Sequence, residues 1–533
     1  MTEKKSLRLR ALGALAVAGL SVASLTACAP AGSSAITVGT TDKVTTLDPA
    51  GSYDNGSFAL MNQVFPFLLN SVPGGADIVP DIAVSAEFTS GKEYTVVLKK
   101  DLKWANGHAL TASDVKFSFD RQLKIADEAG PSVLLYNLES TEAKDDTTVV
   151  FHLKTENDQV FPAILSSPAG PIVDEEVFAA DKLTSDDDIV AANAFAGQYE
   201  ISAYKFNELV QFKAYAGYKG VLGAPKASVV NLKYYADSSN LKLDVQQGNI
   251  DVASRSLSAT DIADLSGDDK VQVITGPGGE IRYITFNFNI QPFGAKTADA
   301  DPKKALAVRQ AVADLVDRDA LSTQVYKGTY LPLYSYVPAG LPGATEVLKD
   351  LYGTDGKPDV EKAKARFTLA GIKGPVTLKL QWNPDHYGPS SGDEYALIKS
   401  QLEASGLFKV DLQSTEWVTY TEERKADVYP AHQLGWFPDY SDADNYLTPF
   451  FLDGGFLANH YSNKNVDALI LKQGVTVNPA DRKAIIEEIQ AAVAADLSTV
   501  PLLQGAQVAV AGKDVKGVTL DASFKFRFGT ISK

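Results

Sequence analysis

The chain has 533 residues, 45% of them hydrophobic and 22% charged, and a formal net charge of −16. A chain this long exceeds what one hydrophobic core supports and divides into about two to four domains. Its acidic balance excludes nucleic acid as a partner, because phosphate binding needs a basic face, and its single cysteine excludes an internal disulfide and a thiolate metal site.

A basic start with Lys4, Lys5, Arg8 and Arg10 leads into an apolar run from Ala11 to Ala23. The run falls short of the ~20 apolar residues that a membrane-spanning helix needs and has the length of a signal-peptide core, so residues 1–27 are expected to be a leader. Leu25-Thr26-Ala27-Cys28 resembles the lipobox of bacterial lipoproteins, which implies cleavage before Cys28 and a lipidated N-terminus there. The alternative is an ordinary signal peptide with an incidental cysteine. Residues 28–35, made of small residues and Pro, read as a lipid-anchored tether.

Ile36 to Gly39 predicts a first strand, the turn-rich segment 45–56 a loop, and Ser57 to Phe67 a helix. Tyr94 to Leu98 is dense enough in apolar residues for a buried strand, with Val149, Phe151 and Leu153 alternating as its partner. Between them Thr111-Ala-Ser-Asp114 is a capping box that opens a helix over 112–123, so 66–184 reads as an inserted α/β unit. Strands are predicted at Tyr199–Ala203, Leu209–Ala214 and Val229–Tyr235, then a helix over 239–247 closed by Gly248. Strands at 271–274 and 281–288 precede helices at 303–316, from Asp319, and at 359–370, 393–405, 464–473 and 479–496, with strands at 376–382 and 431–435 among them. Three strands without helices, 500–503, 507–510 and 515–520, return the chain to the sheet of its first lobe. The alternation is that of an α/β protein, and a chain that leaves one lobe, builds another and returns places a hinge and a ligand-holding cleft between them.

Signatures of catalysis are sparse. None of the five histidines, His108, His152, His386, His432 and His460, stands in a paired metal spacing, there is no Walker loop, and neither a metal nor a cofactor is expected. Gly388, Ser390 and Gly392 satisfy GxSxG, but a nucleophile elbow needs its serine at the strand-to-helix turn, whereas the preceding strand is predicted to end near Trp382. A loop is expected there, with a lipid-anchored serine hydrolase as the remote alternative. Binding without turnover is the expectation.

The stretch 435–446, GWFPDYSDADNY, gathers Trp436, Phe437, Tyr440 and Tyr446 with the carboxylates Asp439, Asp442 and Asp444. Aromatic walls around a carboxylate attract a cation through ring quadrupoles and a charge-assisted hydrogen bond, and a primary ammonium would suit such a site. Two other readings stand beside it. In one, Pro438 and Asp439 make a turn, Ser441 or Asp442 caps a helix and the rings are core; in the other, the aspartates ligate calcium, although the EF-hand spacing is missing.

Six segments in order, after the lipobox, resemble the solute-binding proteins of ABC importers, in the dipeptide- and oligopeptide-binding family. They are TTLDPA (45–50), YTVVLKKDLKWANGHALTASDVKFSFDR (94–121), LDVQQGNIDVA (243–253), YITFNFNIQPF (283–293), VRQAVADLVDRDALSTQVYKG (308–328) and DVEKAKARFTLAGI (359–372). The resemblance implies a two-lobed periplasmic-binding-protein-like fold with an extra inserted α/β domain and a hinge-closed cleft: domain I over 36–65, 185–280 and 495–533, domain II over 66–184, and domain III over 281–494. It implies that Asp439 pairs with a peptide's α-ammonium beside Trp436 and Phe437, and that Tyr53, Asp54 and Asn55 form the opposing wall. Arg424 and His386 are candidates, by position only, for the ligand's other end. The expected function is that of a lipid-anchored monomer outside the cell membrane, on the periplasmic or cell-wall side, handing peptides to permease subunits. A nickel chelate, oligosaccharide, haem or opine is the alternative ligand.

Overall fold

The computed structural model describes residues 35–533 apart from 256, 385, 389 and 521–524. The leader, Cys28 and all but the last residue of the tether lie outside the described residues. Among the described residues no helix is long and apolar enough to cross a membrane.

Two long antiparallel neighbours, Val271–Phe286 and Thr499–Gly512, form the spine of an eleven-stranded sheet. At one end of the spine the strands Ala431–Trp436, Val376–Trp382 and Phe408–Ser414 continue the sheet; at the other, Val252–Ser254, Ile36–Thr40, Val229–Tyr234, Leu209–Ala214 and Tyr199–Lys205 do so. The first group pairs with residues 281–286 and the second with residues 509–511, so the two spine strands cross together from one lobe to the other. Ladder register slips between Pro277 and Ile281, where Gly278 and Gly279 stand at the crossing. A Cβ at Gly278 would meet the Gly505 carbonyl oxygen at 2.1 Å, so the two backbones run closer here than a side chain allows.

The apolar residues sort into separate cores. Ile281, Val308, Leu378, Tyr395 and Ile489 belong to the core of one lobe, and Ile36, Val64, Tyr199, Val230 and Ile531 to that of the other. A four-stranded antiparallel sheet, Ala83–Ser90, Glu93–Leu98, Thr148–Leu153 and Leu138–Ala143, packs on the helix Ala112–Ile125 around Trp104, Phe119 and Phe151 as an extra domain. Thr111 and Asp114 cap that helix reciprocally. Arg121, buried on its inner face, donates to both carboxylate oxygens of Asp48 at 2.8 and 2.6 Å and ties the extra domain to the first lobe.

Several expected boundaries need correction. The segments 271–274 and 281–288 are one strand that ends at Phe286: Gly276-Pro277-Gly278-Gly279 breaks the hydrophobic period but not the strand. The segments 500–503 and 507–510 are likewise one strand. Residues 515–520 hold no strand, only a bridge between Lys516 and Ser532. The helix expected over 57–67 runs from Asn55 to Val64, because Asp54 caps it by accepting from the Ser57 amide at 2.8 Å.

Candidate functional site

The strand Ala431–Trp436 runs out of the sheet toward the junction of the lobes, and Pro438 ends it. Asn445 organises the loop beyond the strand. Its Oδ1 accepts from the indole Nε1 of Trp436 at 2.8 Å and from the Asp439 amide at 3.0 Å, while its Nδ2 donates to Asp439 Oδ2 at 3.0 Å. The other carboxylate oxygen of Asp439 accepts from the Tyr53 hydroxyl, which comes from the opposite lobe. Burial pushes the Asp439 carboxyl above the usual carboxylate range, opposed by the hydrogen bonds of Tyr53 and Asn445. Neither of these donors is charged, and among the described residues no counter-ion pairs with the carboxylate.

The three aspartates of this stretch do separate jobs. Asp442 caps the short helix Ala443–Tyr446 and takes a bidentate pair from Arg482 at 2.8 and 2.7 Å. Asp444 accepts from Thr448 Oγ1 at 2.5 Å and from Gln473, and burial beside Asp442 pushes its carboxyl up to about 6. Tyr440 packs into the extra domain's core, and the buried Tyr446 donates to the Gly279 carbonyl at 2.6 Å, fastening the stretch to the inter-lobe crossing. The turn, cap and core account therefore describes Asp442, Asp444, Tyr440 and Tyr446. Asp439 is left facing the cleft.

All six residues singled out in the sequence, Tyr53, Asp54, Asn55, Trp436, Phe437 and Asp439, line one cavity of about 960 Å³ between the lobes. Within it Asp54 is occupied as a cap, accepting from Thr45 Oγ1 at 2.6 Å as well as from Ser57. Much of the remaining wall is aromatic and apolar: Phe58, Val133, Tyr136, Trp417 and Phe456 contribute, two of them from the extra domain. His386 stacks on Trp417 with ring centroids 3.7 Å apart and planes 2° apart, and it also borders an adjoining cavity of about 560 Å³.

Arg424 does not reach the cleft. It is 2% exposed, its guanidinium lies 4.5 Å from the Phe456 ring centre, and it donates to the Phe456 and Leu457 carbonyls at 3.2 Å. Ser390 borders the second cavity just before the helix Ser391–Ala404, separated by a loop from the strand that ends at Trp382. Sequence reasoning passed over Asn445, although it sits inside the stretch it organises; its one legible signal was an amide three residues past an Asx cap. It also passed over Arg255 and Tyr136, which reach this cavity from distant parts of the chain.

Residues 77–457 match the model of the family described as bacterial extracellular solute-binding proteins, family 5 middle. Across 506 residues the chain is 24% identical to the dipeptide-binding protein of Escherichia coli strain K12, covering 90% of each chain. It is 26% identical over 489 residues to heme-binding protein A of Haemophilus influenzae, covering 86% of this chain and 85% of that one. In structure it is similar to the ABC transporter-associated periplasmic binding protein DppA from Helicobacter pylori in complex with peptide STSA. That comparison has a TM-score of 0.72 and 19% identity, covering 94% of this chain and 98% of that one.

Proposed function

The chain belongs to the bacterial extracellular solute-binding proteins of family 5, and from that premise we propose that it captures di- and oligopeptides between its lobes and delivers them unaltered to the permease of an ABC importer. The observation that carries the reading is Asp439, a carboxylate that faces a largely aromatic cavity and whose hydrogen-bond donors among the described residues are the neutral Tyr53 and Asn445. A peptide's α-ammonium supplies the missing charge, donating to the carboxylate beside the Trp436 and Phe437 rings. Tyr53 and Asn55 stand across the cleft as the opposing wall. A dipeptide-binding relative and a peptide-bound structural neighbour support peptide as the solute.

In this scheme domain I (36–65, 185–280, 495–533) and domain II (66–184) face domain III (281–494), and the crossing strands flex as the cleft opens. Ser390 plays no catalytic part: a serine-directed probe should leave the protein unlabelled, and labelling lost in Ser390→Ala would overturn that assignment. Lipidated Cys28 holds the monomer at the outer face of the cell membrane, and labelled palmitate should enter the wild type but not Cys28→Ala.

The direct test is mass spectrometry of small molecules that copurify with the protein, followed by calorimetric titration of a mixed peptide library. Peptides in the first and heat in the second are expected; the absence of both would refute the reading. The haem-binding relative and the aromatic lining favour a flat apolar solute as the second reading, and hemin belongs in the same titration.

A further inference from the structure

The extra domain has no part in the reading of the cleft so far, yet it reaches the second lobe, which carries Asp439, through the ring of Tyr440 and the amide of Gln159. We propose that the extra domain clasps the second lobe through Tyr440, and that Tyr440 is the positioning residue by which this clasp sets Asp439 for the ligand. The positioning of Asp439 rests on the reading of the cleft as a peptide site; the clasp does not.

Among the described residues Tyr440 is the only member of the extra domain's core that the second lobe contributes. Ala443, Tyr446 and Leu447 from the same stretch pack instead into the second lobe's own core. Tyr440 is 9% exposed, and it lines the cleft together with Leu134 and Pro168 of the extra domain. Its hydroxyl stays with its own lobe and donates to Asp444 Oδ2 at 3.3 Å. A tyrosine so placed gives its apolar body to one domain and its polar tip to the other, the arrangement that makes this residue an anchor at interfaces.

The second contact leads to the same carboxylate. The Gln159 amide, in the extra domain, donates to the carbonyl of Gly474 at 2.8 Å, and Gly474 is the last residue of the helix Lys464–Gly474. One residue earlier, the fully buried Gln473 donates through Nε2 to Asp444 Oδ1 and accepts from Arg482 Nε at 3.1 Å. Asp444 therefore takes Tyr440 on one oxygen and Gln473 on the other. Its successor in the short helix Ala443–Tyr446 is Asn445, which holds Asp439, and Tyr440 itself follows Asp439 directly. Consecutive Cα atoms lie about 3.8 Å apart, so a lobe movement that draws the Tyr440 ring from the extra domain pulls on the backbone of Asp439. A loop clasped in this way leaves less ordering to be done when ligand binds.

The test reads hydrogen exchange at the Gln159 amide in the full chain without ligand, and then affinity for the tightest peptide of the mixed library. The partner of that amide lies in the other lobe, so its protection reports the clasp and not the folding of its own domain. In wild type it should exchange at least about tenfold more slowly than an exposed loop amide. Tyr440→Ser should remove the protection and weaken peptide binding about tenfold, while Tyr440→Phe, which keeps the ring, should stay within about threefold of wild type in both. Free exchange at Gln159 in wild type overturns the clasp and needs no variant to fold. Protection undiminished in Tyr440→Ser overturns it too, since a tyrosine that only fills a core would lower the melting temperature and leave this amide alone. Lost protection with unchanged peptide affinity overturns the positioning role. Should wild type bind no peptide, the peptide reading and the positioning of Asp439 fall together, while exchange at Gln159 still decides the clasp.

Discussion

Replacing Asp439 by Asn removes a charge and almost nothing else. In the wild type both carboxylate oxygens accept, one from the Tyr53 hydroxyl and one from Asn445 Nδ2 at 3.0 Å. In the variant the remaining oxygen can accept from Asn445, while the new Nδ2 donates to the Tyr53 hydroxyl, which turns from donor to acceptor. The ligand-free protein should therefore melt within about 1 kcal/mol of wild type or above it, because the substitution deletes a buried charge that hydrogen bonds from Tyr53 and Asn445 only partly offset. Binding should move the other way. Removing one member of a buried, hydrogen-bonded charge pair costs about 2–5 kcal/mol, or roughly 30- to 5,000-fold in Kd. Calorimetry with the tightest peptide of the library gives the affinity, and thermal melts with and without that peptide give the stability. A variant that binds within about threefold of wild type refutes the ammonium role. So does one whose ligand-free form is as damaged as its binding, since the carboxylate would then be a structural brace.

The same group sets a pH dependence. Its folded-state pKa is raised, so its contribution to the stability of the empty protein is fullest below the ordinary carboxylate pKa and is lost as pH rises through the raised value. Peptide affinity needs the ionised form and should fall as pH drops through that raised value, a fall absent from Asp439→Asn in calorimetry between pH 7 and 4. Asn445→Ala frees the Trp436 indole and the Asp439 carboxylate together and should weaken peptide binding by about 1–3 kcal/mol, with a blue- or red-shifted Trp emission marking the released indole. Arg121→Met leaves the buried Asp48 with the Ala50 and Thr184 amides but without its ion-pair partner and should cost about 3–5 kcal/mol, read as an earlier first transition in urea. A midpoint unchanged from wild type would show the pair to be dispensable.

Local chemistry was the legible part of the sequence. The Thr111 capping box, the Gly248 and Gly371 stops, and the strands 209–214 and 376–382 fall where composition and period put them, because each depends on neighbours a few residues away. The edge strands Ala83–Ser90 and Leu138–Ala143 escaped notice because one face is wet, and their Ser, Thr and Glu content reads as loop. The spine strands were split because glycine and proline signal a turn in a lone strand, whereas here a partner strand carries the ladder through. At the site, Trp436, Phe437 and Asp439 were visible as an expensive cluster of side chains in one loop. Arg255 and Tyr136 were not, since nothing in their own neighbourhoods indicates what folds across from them.

The paired crossing has a topological corollary. Ile281 and Gln504, where the chain enters and leaves the second lobe, are register partners on adjacent strands, so everything between them is joined to the rest of the chain covalently through a single doorway. A short loop would bridge that doorway on either side. The excised lobe could then be made as an autonomous piece, and a reporter domain spliced in its place would inherit a connection whose two ends already lie together.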